Sequence, residues 1–227
     1  MVQLRRKLSA SHLIAADCFA KQCDAIEKAH SGHPTKTALE EDKAYAIAAV
    51  VSSVAFLETS INELYDDAAE GLLSDLEADQ VERVVAAWSL PSTERLAALE
   101  KHQLALILAG LHPFDEGAQP FQDAQLLVRL RNRLVHSKAE WLSLPADPDT
   151  PDSDKLARAL QPKFQENALM SGSAFPFFPE HCLGAGCANW AVNTAVYFFA
   201  DFSKMIGIHI VQSRGYDTWR FRTNRSA

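Results

Sequence analysis

A chain of 227 residues, 48% apolar and 22% charged, has the size and balance of one folded domain with an ordinary core, which excludes a disordered or low-complexity protein. Its formal charge of −7 excludes a broad phosphate-coating face, because nonspecific nucleic-acid binding needs many Lys and Arg contacts; any such contact must be local. In the opening MVQLRRKLSASHLIAADCFAKQ, Asp17 and Lys21 break any apolar run, and the uncharged stretch 182–200 is diluted by Gly184, Gly186, Asn189, Asn193 and Thr194, so neither a secretory leader nor a membrane span is expected and the expected location is the cytoplasm.

In chain order, apolar residues recur at helical spacing and no period-two strand is evident. The spacing predicts a first helix over Leu4 to Ala29, ended by Gly32 and Pro34, and a longer one over Leu39 to Glu70, stopped by Gly71. A shorter helix is expected over Leu72 to Trp88, and Pro91 suits the first turn of another that ends at Gly110. His112 to Pro120 reads as loop, and Phe121 to Trp141 as the next helix. The Pro- and Asp-rich stretch 142–153 is expected as a surface loop, leading to a short helix around Asp154 to Asn167. A last helix, 187–206, carries Trp190, Val196, Tyr197, Phe198, Phe199 and Phe202 around most of its circumference, more than one core face requires, which suggests a dimer interface. The tail SRGYDTWRFRTNRSA is basic and aromatic, a composition able to touch RNA. The expected architecture is a single all-α helical bundle over 1–227 with an extra aromatic-rich C-terminal helix.

Cys18 with Cys23, and Cys182 with Cys187, form two pairs with four residues between partners, and His12 and His181 stand nearby. Zinc pairs are usually more tightly spaced, and five residues along a helix turn two thiols about 140° apart, so reduced, mostly buried thiols are expected and no metal. No cofactor is expected either.

Helical wheels make a chemical argument. In the second helix Ile47, Val50, Val54, Leu57, Ile61 and Leu64 form an apolar stripe, yet Glu58 and Asn62, one turn apart, fall inside the same arc with Tyr65 beside them. In the helix from Phe121, Arg131 falls in the middle of the arc made by Leu127, Leu130, Leu134 and Trp141. An unpaired buried guanidinium is costly, so Arg131 is expected to meet Glu58 where the two helices pack, with Asn62 satisfying polar groups nearby. Asn132 and His136, four residues apart, share a shoulder of the helix and are expected to line a surface groove. Arg129, Arg133 and Lys138 add a local positive patch able to hold a phosphate.

The run LRNRLVHSK at 130–138 resembles the motif of the HEPN superfamily, an Arg followed by a polar residue and then a His: here Arg131, Asn132 and, after four intervening positions, His136. VVSSVAFLETSINELYDD is similar to the long helix of bacterial HEPN-like proteins of the RiboL-PSP-HEPN type, with Glu58 and Asn62 matching a recurrent acid and Asn. The resemblance covers about 43–141. It implies a helical bundle that dimerises so that two motifs face one cleft, in proteins that are often metal-independent endoribonucleases of toxin, defence or RNA-processing systems. Other members are noncatalytic scaffolds or nucleotide-binding modules. The resemblance assigns proton transfer to His136, charge stabilisation to Arg131 and orientation to Asn132. It also implies RNA as substrate, a homodimer, and a cognate antitoxin or nucleotidyltransferase as possible partner. Arg131 and His136 lie about 140° apart on one helix, so a second copy would have to complete a site.

Overall fold

The structure, a computed structural model, describes residues 6–73, 75–138 and 155–208. Eight α-helices and no strand occur among the described residues: α1 Ser9–Ala29, α2 Lys36–Ala69, α3 Ala78–Trp88, α4 Pro91–Glu94, α5 Ala98–Leu108, α6 Phe121–Val135, α7 Lys155–Leu160 and α8 Ala185–Ile206. The molecule is an all-α bundle organised around α2, a rod of about 50 Å at the usual rise per residue.

Helices α1 and α2 form a hairpin. His30–Thr35 reverses the chain, with Gly32 at φ 81°, and the Thr35 hydroxyl accepts the Ala38 N–H at 3.1 Å to start α2. The two helices present buried alanines, Ala16 and Ala20 on one and Ala46 and Ala49 on the other, which permit close approach of their backbones. Helix α8 packs against both, and α3, α5 and α6 cover the remaining flanks of α2. This arrangement buries Phe198, Phe199 and Phe202 of α8 within the chain, against Phe56, His102, Phe114 and Phe121, and Trp190 against Phe164. The aromatic ring around α8 is therefore core; Tyr197 alone of those aromatics is exposed, and α8's composition gives no argument for a dimer.

Carboxylates from one helix fasten the starts of others. Glu63 of α2 accepts the N–H groups of Leu8 and Ser9 through one oxygen, at 2.7 and 2.9 Å, and the Ser9 hydroxyl through the other at 2.7 Å. One turn on, Asp67 holds Lys7 at 2.6 Å. Glu27 of α1 accepts the Ala185 N–H at 2.7 Å, supplying a cap that Gly184 cannot provide for α8. The segment 165–167 lies so close to that start that a Cβ on Gly186 would stand 2.1 Å from the Gln165 carbonyl oxygen.

Several boundaries differ from the sequence reading. Residues 6–8 precede α1, and the stretch expected as one helix from Leu72 begins only at Ala78, where the Gln80 side chain accepts the Glu77 N–H. The helix begun by Pro91 breaks after Glu94 and restarts at Ala98. Helix α6 stops at Val135 rather than at Trp141; Trp141 and the loop 142–153 lie outside the described residues, as do Leu4 and the tail beyond Ile208. Among the described residues one helix, α2, is long and apolar enough to cross a membrane by length and composition alone, and its apolar side is the centre of this bundle.

Candidate functional site

The seam between α2 and α6 carries the expected pair. Arg131 Nη2 donates to Glu58 Oε1 at 2.7 Å, and the flanking Leu127 and Leu130 of α6 are fully buried with Leu57 and Ile61 of α2. The pair sits at the rim, however, not within the core: the Arg131 side chain is 22% exposed and that of Glu58 48%. The helix wheel directs Glu58 to an inner face; a wheel fixes direction but not how far a neighbouring helix extends to cover it.

Asn62 makes a different bond from the one expected. Its Oδ1 accepts from Lys101 Nζ at 2.7 Å, so it serves α5 rather than Arg131. Lys101 is buried, lies over the Trp88 ring at 5.4 Å, and its backbone carbonyl accepts the Tyr65 hydroxyl at 3.1 Å. Burial lowers the pKa of this ammonium, while the negative charges of Glu58 and Glu94 act in the other direction. Helices α2, α5 and α6 thus converge on a polar patch of Glu58, Asn62, Lys101 and Arg131. Lys101 is not visible in the sequence, because a lysine in a helix reads by default as surface.

Asn132 and His136 are both exposed. His136 is the first residue beyond α6, with φ −105° and ψ 22°, and its N–H donates to the Asn132 carbonyl at 3.0 Å, so the motif ends on the last turn of a helix and opens outward. Neither residue lines either of two surface grooves among the described residues, one between α5 and α6 near Ile107 and one beside α8 near Tyr197. Arg129 and Lys138 are exposed, whereas Arg133 is half-buried with its guanidinium 5.0 Å from the centre of the Phe178 ring. The expected positive patch is thereby divided, two cations facing solvent and one held against an aromatic ring.

A second polar cluster lies buried where α1, α2 and the start of α8 meet. The Asp42 carboxylate is fully buried; one oxygen accepts from Asn167 Nδ2 at 2.8 Å and the other has no hydrogen-bond partner. Burial, reinforced by the charge of Glu27, pushes the Asp42 carboxyl up to about 7. The Cys23 thiol donates to the Asp42 carbonyl at 3.5 Å, and burial, then Asp42, pushes it upward. A hydrogen bond with Cys182, followed by burial, does the same to Cys187. These are neutral thiols in an apolar interior, poor nucleophiles and poor metal ligands as they stand. Among the described residues no group of three or more His, Cys, Asp or Glu is disposed to hold a metal ion. Cys18 is exposed and apart from them.

Compared with known proteins, the chain matches no family model, and neither a curated protein nor a solved structure is found to be similar to it.

Proposed function

We propose that this chain is an HEPN-like, metal-independent endoribonuclease of toxin or defence type, acting in the cytoplasm as a homodimer. The observation that supports the reading is the placement of Arg131, Asn132 and His136 together at the open end of α6, with Arg131 anchored by Glu58 and the other two exposed to any substrate. RNA brings its own nucleophile. The ribose 2′-oxygen attacks the adjacent phosphorus, the 5′-oxygen leaves, and the product is a 2′,3′-cyclic phosphate. The protein need only move protons and stabilise charge on the phosphorane, tasks suited to an imidazole and a guanidinium. Arg131 is bonded to Glu58 of α2 and His136 lies one residue beyond the end of α6, so the reading takes the facing His136 from the second copy. Arg129 and Lys138 extend the contact to flanking phosphates, and an antitoxin or nucleotidyltransferase would act by covering or modifying this end of α6.

The Glu58 bond favours one competing reading, a noncatalytic dimer serving as scaffold or nucleotide-binding module, because a guanidinium committed to a carboxylate is less available to a phosphate. Incubation of the purified protein with mixed RNA in the presence of a chelator separates the two. Cleavage that leaves cyclic phosphate ends, and that is lost in a folded His136→Ala dimer, supports the nuclease. Failure to cleave any RNA, or cleavage unchanged by that substitution, rejects it.

A further inference from the structure

Within residues 161–183, Glu166, His181 and Ser173 form a hydrogen-bonded relay, and none of the three belongs to the group at the end of α6. Ser173 Oγ lies 2.9 Å from His181 Nε2, and His181 Nδ1 lies 3.0 Å from Glu166 Oε2. The proton positions follow from the chemistry of the partners. A carboxylate can only accept, so Nδ1 carries a hydrogen and donates it to Glu166; the neutral ring then has its lone pair on Nε2, and the Ser173 hydroxyl donates to it. This is the order of roles in which a histidine withdraws a proton from a serine while an acid fixes the ring's tautomer.

Hydrogen bonds pin the backbones that carry the relay. Asn167, next to Glu166, is buried; its side chain donates to Asp42 and to the Leu183 carbonyl, both at 2.8 Å, and its N–H donates to the His181 carbonyl at 2.8 Å. One residue thus clamps the backbones that carry the acid and the base. The second oxygen of Glu166 accepts from Gln161 at 3.4 Å. Ser173 closes a tight turn, its N–H donating to the Met170 carbonyl at 3.0 Å with Gly172 at φ 75°. The His181 side chain is only 12% exposed, yet Gly172 and Ala174, on either side of Ser173, face solvent. The base is sheltered and the nucleophile is reachable, which is the division a nucleophilic site requires.

From this geometry we propose that Ser173 is an activated nucleophile, with His181 as its general base and Glu166 as the positioning residue, and that the site takes small esters with apolar acyl groups. The preference for an apolar acyl group rests on Phe175, an apolar side chain two residues along and 40% exposed. In the forward step the Ser173 Oγ to carbonyl-carbon bond forms as its proton passes to His181 Nε2. The ester C–O bond then breaks, and the leaving alkoxide takes that proton. Water, deprotonated by His181, attacks the acyl-serine, and the serine leaves with the proton returned. No oxidant, metal or cofactor enters the balance.

The test uses the full chain and a fluorophosphonate, which forms an Oγ–P bond to an activated serine with loss of fluoride, read as an adduct by peptide mass spectrometry. The adduct is expected on Ser173 in the native protein and absent after unfolding in urea. Ser173→Ala is expected to abolish it, His181→Gln to reduce its rate at least about a hundredfold, the lower range for removing a general base. Glu166→Gln, a change at the surface, should alter the pH profile of labelling without unfolding the protein. Hydrolysis of p-nitrophenyl acetate should follow the same order. No Ser173 adduct in protein shown to be folded by circular dichroism would overturn the proposal. So would a labelling rate indifferent to both His181→Gln and Glu166→Gln, which would make the relay a fastening between loops. The RNA-cleavage experiment is independent, since Ser173→Ala leaves the end of α6 untouched.

Discussion

Glu58 and Arg131 stand 73 positions apart in sequence and 2.7 Å apart in space, and their bond ties the central helix to the helix that carries the histidine motif. Because Glu58 is half exposed, water screens the pair, and its coupling should be modest. Glu58→Gln and Arg131→Met, alone and together in a double-mutant cycle by urea denaturation, should give a coupling of about 0.5–1 kcal/mol. Strict additivity would show that the bond contributes nothing to folding.

Asp42 and His102 should oppose each other in acid. The Asp42 carboxyl sits at about 7 in the folded protein against 3.8 ordinarily, so between those values the native state holds a proton that the unfolded chain has released. Its contribution to stability therefore falls as the pH rises from about 4 to 7. Burial holds the His102 imidazole at about 4 against 6.5, so in that window the unfolded chain takes up a proton that the native state refuses, and stability rises with pH. Each slope has a limit of about 1.4 kcal/mol per pH unit. Asp42→Asn removes the first slope and keeps an acceptor for Asn167. It should stabilise the protein at pH 8 by on the order of 2 kcal/mol and expose a rise in stability from pH 4.5 to 6.5. Denaturation at pH 4.5, 6.5 and 8 checks this; an Asp42→Asn variant weaker than the parent at pH 8 would refute it.

Gly186→Ala should cost about 3 kcal/mol, the upper part of the range for overpacking, because the obstacle is the Gln165 carbonyl and not a side chain able to swing aside. A melting temperature within a degree of the parent would mean that the 165–167 segment yields.

Glu27→Ala should cost about 1–2 kcal/mol, as the loss of a helix cap does, with the effect concentrated at the beginning of α8. Amide exchange should quicken at Ala185 and at Ala168, the other N–H that Glu27 accepts, while the middle of α8 stays protected. Uniform loss of protection would assign Glu27 to the core instead.

The parts of this structure that are legible in the sequence are those governed by one period within one helix. The apolar stripes of α2 and α6, and the arginine placed among leucines, suffice to expect the Glu58 to Arg131 contact. What escapes depends on distance between elements. The caps from Glu27 and Glu63 leave no local trace, since each serves a helix start far away in sequence. Lys101 meets Asn62 across two helices that no spacing rule pairs. The relay from Glu166 through His181 to Ser173 occupies a stretch rich in Pro, Gly and Phe where no period exists to be read. Helix α6 ends without Gly or Pro: Val135 is followed by His136 and Ser137, so nothing local announces the stop.

The carboxylate of Glu27 reaches across 158 positions to the first amide of α8. During synthesis the hairpin of α1 and α2 emerges with a greasy flank uncovered, well before the helix that covers it. Cooperative closure must therefore wait for residues 185–206, and a ribosome stalled before them would display a sticky, half-built bundle for chaperones to hold.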